Sequence, residues 1–269
     1  MTALPFSATT PVHLDRVALK ARDAEALGHF YRDVVGLQEL ERRGSVIVMG
    51  AGERWLLEIE QDDAAKPDDP REAGLFHTAF LLPTRSDLAH WARYAIDRQI
   101  GVEGASDHLV SEAIYLSDPE GNGIEIYADR PQELWPRQDD EVAMKTLRLN
   151  FNDLFAEAGE GAWNGAPEGT VIGHVHLRVG DPAEAEKWWR EAVGLDTMAR
   201  YGPQAVFLAS GGYHHHIGVN SWRSAGAGRR DPRRAGLAWI SLKSADVAEE
   251  RVLEDPWGTV VKLVPQEQA

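Results

Sequence analysis

The feature that most constrains this chain is that it repeats itself. Residues 22–37 read RDAEALGHFYRDVVGL and residues 180–195 read GDPAEAEKWWREAVGL. Asp23 aligns with Asp181, Phe30-Tyr31 with Trp188-Trp189, and Gly36-Leu37 with Gly194-Leu195, each at an offset of 158 positions. Both segments read as helices, with an Asp N-cap and a Gly near the C-terminal end. Pro182 takes the first helical position, where its missing N–H costs nothing. Each helix follows an alternating apolar stretch, Val17 and Leu19 in one copy and Val175, Leu177 and Val179 in the other, which reads as a strand. A unit repeated in this way is a supersecondary element that buries its apolar face only against its neighbours.

A second pair of segments repeats with different spacing. Asp118-Pro119-Glu120-Gly121 matches Asp255-Pro256-Trp257-Gly258 at an offset of 137, whereas the strands that open these units, 75–82 and 237–243, are offset by 162 when His77 is set against Trp239. The last unit is therefore about 25 residues shorter and has lost most of its helix and a strand. The expected class is α+β, in four βαβββ-type modules at 12–60, 74–130, 171–222 and a truncated 235–265. The expected domains are 10–130 (modules one and two) and 171–269 (modules three and four). Residues 131–170 would link them, with a short helix over 140–158.

Composition narrows what such an array can do. Of 269 residues 43% are hydrophobic, enough for a sizeable core. A formal charge of −15 and a pI near 5.1 repel phosphate backbones, so nucleic acid is not an expected partner. With no cysteine there is no disulfide, thiolate ligand or thiol nucleophile, and any metal must be held by His, Asp and Glu. Residues 1–10 do not read as a secretory signal, and no apolar run approaches the roughly 18 residues that span a bilayer. The expectation is a cytoplasmic protein with no membrane partner.

Strand, helix, three strands and a DPxGN-type turn before the last strand together resemble the vicinal-oxygen-chelate superfamily (glyoxalase, bleomycin resistance and dioxygenase proteins), over nearly the whole chain. The resemblance implies that modules pair into domains of cup-shaped mixed sheet around a metal, with ligands on the first and last strands. First-strand positions aligned by the repeat are Arg16, His77, His174 and Trp239; last-strand positions are Glu125 and Lys262. Modules one and four are blank. Modules two and three offer His77, Glu125 and His174, a two-imidazole, one-carboxylate set suited to non-haem Fe(II), with Mn(II) as the other candidate ion. Alternation agrees. Glu125 lies between Ile124 and Ile126, and His174 and His176 share a face opposite Val175 and Leu177. A lone strand His is usually structural, and His13, His29 and His90 are read that way. Equivalence under the repeat is what distinguishes the three candidates.

Two further segments sharpen the resemblance. Residues 106–127, SDHLVSEAIYLSDPEGNGIEIY, resemble the last metal-binding segment of type I extradiol dioxygenases. The resemblance makes Glu125 a ligand and His108 and Tyr115 hydrogen-bonding catalytic groups. Residues 211–222, GGYHHHIGVNSW, resemble the strand that carries the family's acid–base His. Parity points His214 and His216 into the cup and His215 away from it, and the family position favours His216, with His214 beside it. The resemblance thus implies extradiol cleavage of a catechol-type diol by O2, and leaves room for a homo-oligomer. Most two-domain relatives take their ligands from modules three and four. Here they fall in two and three, so those two modules must face each other and one and four must form the other pair. A smaller group of bacterial catechol 2,3-dioxygenase-like proteins resembles the chain in this respect. The competing readings are a metal-dependent lyase or isomerase of glyoxalase type and a metal-free, resistance-type binding protein.

Overall fold

The computed structural model describes residues 4–138 and 141–266. Module one is β1 (Val12–Ala21), α1 (Ala24–Phe30), β2 (Gln38–Arg43), β3 (Val46–Ala51) and β4 (Arg54–Gln61). Module two is β5 (Gly74–Leu81), α2 (Arg85–Asp97), β6 (Gly104–Asp107), β7 (Ser111–Ser117) and β8 (Gly123–Asp129). Between the halves lie the short strands β9 (Arg137–Gln138), β10 (Glu141–Val142) and β11 (Leu147–Arg148), and helix α3 (Phe151–Ala156). Module three is β12 (Val171–Arg178), α4 (Pro182–Trp188), β13 (Asp196–Tyr201), β14 (Ala205–Ala209) and β15 (Ile217–Asn220). Module four keeps only β16 (Gly236–Ser244), β17 (Arg251–Glu254) and β18 (Val260–Pro265), having lost a helix and a strand as the shortened repeat requires.

The repeat is preserved in local detail. Asp23 caps α1 by accepting from the Ala26 N–H, and Asp181 caps α4 by accepting from the Ala183 N–H. Both helices widen into a π-turn, Tyr31–Val35 and Trp189–Val193, and both stop at a left-handed glycine, Gly36 (φ 87°) and Gly194 (φ 81°).

Two mixed sheets result. One has the order β17-β18-β16-β1-β4-β3-β2, the other β11-β6-β7-β8-β5-β12-β15-β14-β13. The first joins modules four and one through antiparallel β16 and β1, and the second joins modules two and three through antiparallel β5 and β12. Each sheet therefore takes one module from 10–130 and one from 171–269, and both cross the boundary drawn along the sequence. In each, the opening strand pairs in parallel with its own module's last strand: β5 with β8, β12 with β15, β1 with β4 and β16 with β18. One continuous apolar core draws on both sheets and on the helices.

The linker departs from expectation. The helix predicted over 140–158 is confined to Phe151–Ala156, and Asp140 lies outside the described residues. Asn150 starts the helix late by accepting from the Asp153 N–H, and the residues before it serve as edge strand, β11 pairing with β6. Sheet pairing satisfies that backbone, so a helix is not needed.

Candidate metal centre

His77 lies in β5, His174 in the neighbouring β12 and Glu125 in β8 on the other side of β5. Three adjacent strands thus present the three side chains to one face. His77 Nε2 is 3.2 Å from His174 Nε2, and Glu125 Oε2 is 3.1 Å from each. Donors held about 2.1 Å from one ion at right angles lie about 3.0 Å apart, so this near-equilateral triangle has the dimensions of one face of an octahedron. All three residues are buried, and they form the single such cluster among the described residues.

Burial holds the His174 imidazole down, to about 4, against the opposing pull of Glu125. Burial alone would raise the Glu125 carboxyl, but the two imidazoles outweigh it and the group sits well below the usual carboxylate range. Neutral imidazole and ionised carboxylate are the forms that bind a metal. The residues therefore fit a divalent first-row ion.

His77, Glu125 and His174 border a cavity of about 300 Å³, walled by Phe76, Val110, Met144, Phe207 and Trp222 together with His108, Tyr115, His176 and His215. His108 Nδ1 donates to the Lys145 carbonyl (2.8 Å), so its Nε2 accepts from the Tyr115 hydroxyl (2.7 Å). Burial and the nearby Glu125 carboxylate push the Tyr115 hydroxyl well above its ordinary value, so it stays a proton donor.

A profile of the Glyoxalase/Bleomycin resistance protein/Dioxygenase superfamily matches residues 13–126. The chain is similar to a catechol-2,3-dioxygenase of Bacillus subtilis (strain 168), 38% identical over 234 residues that make up 86% of this chain and 82% of that protein. The chain belongs to this superfamily. It is also similar to biphenyl-2,3-diol 1,2-dioxygenase 3 of Rhodococcus globerulus, at 27% identity over 56% of this chain and 83% of that one. A solved structure of a putative dioxygenase from Bacillus subtilis subsp. subtilis str. 168 shares the fold, with a TM-score of 0.60 at 12% identity over 95% of this chain and 86% of that one.

Against the superfamily pattern, one expected placement is corrected. Neither His216 nor His214 lines the cavity; His215 does. The His216 ring sits under the N-terminal turn Phe6–Thr9, its Nε2 3.0 Å from the Ser7 carbonyl and 3.3 Å from the Thr10 hydroxyl, and it packs on Tyr213. The His214 ring is fully buried behind His215, against Tyr213 and Trp135. The His215 ring lies over His174, with centroids 4.1 Å apart. Parity failed because β15 begins only at Ile217. The preceding Gly211 (φ 64°) and Gly212 (φ 79°) put the chain in a turn, where a period of two does not apply. That Gly-Gly pair was the available signal.

Sequence reasoning also missed the aromatic wall. His176, on the expected face, was not assigned a role; it packs against Phe76 and Trp222 beside His77.

The sheet of modules one and four shows why the cluster forms once. At the equivalent positions the Lys262 ammonium stands 3.6 Å over the Trp239 ring, and the Arg16 guanidinium 4.9 Å over Trp55. Two cations occupy places where the other sheet has an imidazole and a carboxylate, and they repel a metal ion.

Proposed function

We propose that this chain is an Fe(II)-dependent extradiol dioxygenase that opens the ring of a catechol-type diol with O2, Mn(II) being the other candidate ion. The observation that carries the reading is the triangle of His77, Glu125 and His174 donors beneath an aromatic-walled cavity, with no fourth carboxylate or imidazole in the cluster among the described residues. Three protein ligands leave room for both diol oxygens and O2. A glyoxalase-type lyase or isomerase commonly uses a fourth protein ligand, and a metal-free binding protein has no use for the triangle. The relatives named as catechol and biphenyl-diol dioxygenases support the same choice.

Bound there, the ion would supply Lewis acidity toward the diol and an electron path from ring to O2. The protein's own groups do the rest. His215 takes the acid–base role expected of His216, because its imidazole reaches the cavity, where it accepts the diol proton and later returns one. Tyr115, whose hydrogen goes to His108, is placed to accept a hydrogen bond from a substrate hydroxyl. Phe76, Phe207 and Trp222 flank the ring and exclude water.

No Lys or Arg lines the cavity, which favours an uncharged ring substituent. A carboxylate there would be an unpaired buried charge. The test is anaerobic reconstitution with Fe(II) or Mn(II), then O2 uptake and absorbance of the yellow ring-fission product. Catechol and an alkyl-substituted catechol should be cleaved, and a carboxylated catechol at least about 10²-fold less efficiently in kcat/KM. Metal binding without cleavage of any diol would remove the proposal in favour of the lyase or isomerase reading.

A further inference from the structure

Behind the cavity lies a buried polar chain that the proposed chemistry has not yet used. The strand β8 presents Glu125, Tyr127 and Asp129 at alternate positions, so all three share the face of the metal centre, while Ile124, Ile126 and Ala128 take the core side. Asp129 Oδ1 lies 2.9 Å from His214 Nε2, and His214 Nδ1 lies 2.7 Å from His215 Nδ1. Tyr213 donates to the same Asp129 oxygen at 3.3 Å and receives the Tyr127 hydroxyl at 2.7 Å. Tyr213 stacks on His214 with centroids 4.0 Å apart, and Trp135 closes the other side at 5.1 Å. The His214 ring has no exposed surface and no freedom to turn.

We infer that Asp129 and His214 are positioning residues that hold His215 in a single tautomer, with Nδ1 protonated and Nε2 the free basic nitrogen facing the cavity. The inference rests on the dioxygenase reading for its purpose, but its geometry stands alone. A carboxylate only accepts, so His214 Nε2 carries a hydrogen. A neutral His214 then offers a lone pair at Nδ1. Two Nδ1 atoms at 2.7 Å share one hydrogen, and with His214 neutral that hydrogen belongs to His215. His215 Nε2 has no hydrogen-bond partner among the described residues, and the ring borders the cavity. A carboxylate orienting one imidazole thereby sets the protonation pattern of a second, one ring further from the carboxylate than in a Ser-His-Asp arrangement.

The sequence carries a sign of this. A triple His is redundant for one acid–base group, but here each ring has its own place: His216 under the N-terminal turn, His214 against Asp129, His215 at the cavity.

The test is to read the tautomers directly. Protein labelled with ¹⁵N-histidine and loaded with Zn(II), a diamagnetic ion, is examined by long-range ¹H–¹⁵N correlation, with His215→Phe and His214→Phe used to assign the two rings. The expected result is His215 protonated at Nδ1 and His214 at Nε2. Asp129→Leu should abolish both preferences, because it removes the acceptor that fixes the His214 Nε2 hydrogen. In the Fe(II) enzyme the same variant should lower kcat by about 10²-fold with KM within about twofold and iron content unchanged, and Asp129→Glu should recover much of the loss. A wild-type His215 protonated at Nε2, a doubly protonated His214, or an Asp129→Leu enzyme with kcat within threefold of wild type would each overturn the inference. If the wild type cleaves no diol, the dioxygenase reading fails while the tautomer spectrum still decides this one.

Discussion

The metal-free protein should lose stability steeply on mild acidification, well before its carboxylates protonate. Four imidazoles, His174, His176, His215 and His216, are held below their ordinary value, in each case chiefly by burial, His174 to about 4 and His216 to about 3. In the unfolded chain each takes up a proton near pH 6.5, while in the folded protein burial delays that uptake to well below 6.5, to about 4 for His174 and about 3 for His216. The unfolded state therefore binds more protons between about pH 6.5 and 4, so stability present above pH 6.5 falls as pH falls through that window. At pH 5.5 each unfolded imidazole is about 90% protonated and each folded one almost none. Four of them give a slope of about 5 kcal/mol per pH unit, and a cumulative loss of about 5 kcal/mol between pH 7 and 5.5. That equals the whole stability of many domains. Glu125, with its carboxyl held low, adds a loss of the same sign, but only below about pH 4.5. Asp118 and Asp255, raised by burial, oppose it as they protonate in the folded state. The assay is urea unfolding of chelator-treated protein at half-unit steps from pH 7.5 to 5. A slope below about 1.4 kcal/mol per pH unit, one imidazole's worth, would refute the reasoning. His216→Phe should flatten the curve by about one proton.

Glu125→Gln should abolish stable metal binding. Saturating Fe(II) or Mn(II), at about a hundred times Kd, should add about 2.7 kcal/mol to wild-type stability and nothing to the variant, read as a shift in anaerobic melting temperature. His215→Phe should retain metal and lower turnover by about 10²–10⁴-fold, whereas His216→Phe should act mainly on stability, because its ring bonds to Ser7 and Thr10; paired metal analysis and steady-state rates separate the two. Gly173→Ala should destabilise by about 1–3 kcal/mol in urea unfolding, since a Cβ there would fall 1.7 Å from the Tyr127 hydroxyl beside His174.

What could be read from the sequence was what the repeat encodes. Asp23 and Asp181, Gly36 and Gly194, and the shortened fourth module all appear as expected, because caps and glycine stops are local signals. The convergence of His77, Glu125 and His174 was legible because each lies inside a regular strand, where position in the module fixes the face. His215 was misplaced because it sits just outside one. The aromatic wall was missed because Phe76, Phe207 and Trp222 come together only when β5, β14 and the turn after β15 fold over one another, which no local period reports. Leu147 and Arg148 gave up helix for an edge strand on β6, and Glu141 and Val142 for a short pairing with β9, choices made by the neighbouring strands rather than by their own composition.

The pairing of modules is what brings the three candidate ligands together. Any duplicated chain of four modules can join one with two and three with four, or two with three and one with four. Had module one paired with two, Arg16 would stand beside His77 and His174 beside Trp239, leaving each sheet one imidazole and no complete ligand set. Joining β5 to β12 brings the two imidazoles to 3.2 Å, with Glu125 supplied by the neighbouring β8. The remaining modules are then free of any ligand requirement. They fill the equivalent positions with Arg16, Trp239 and Lys262, whose ring-stacked cations stabilise that sheet without metal. Truncation of module four is tolerated for the same reason: the strands it keeps, β16 and β18, are those that pair with β1 and complete the sheet.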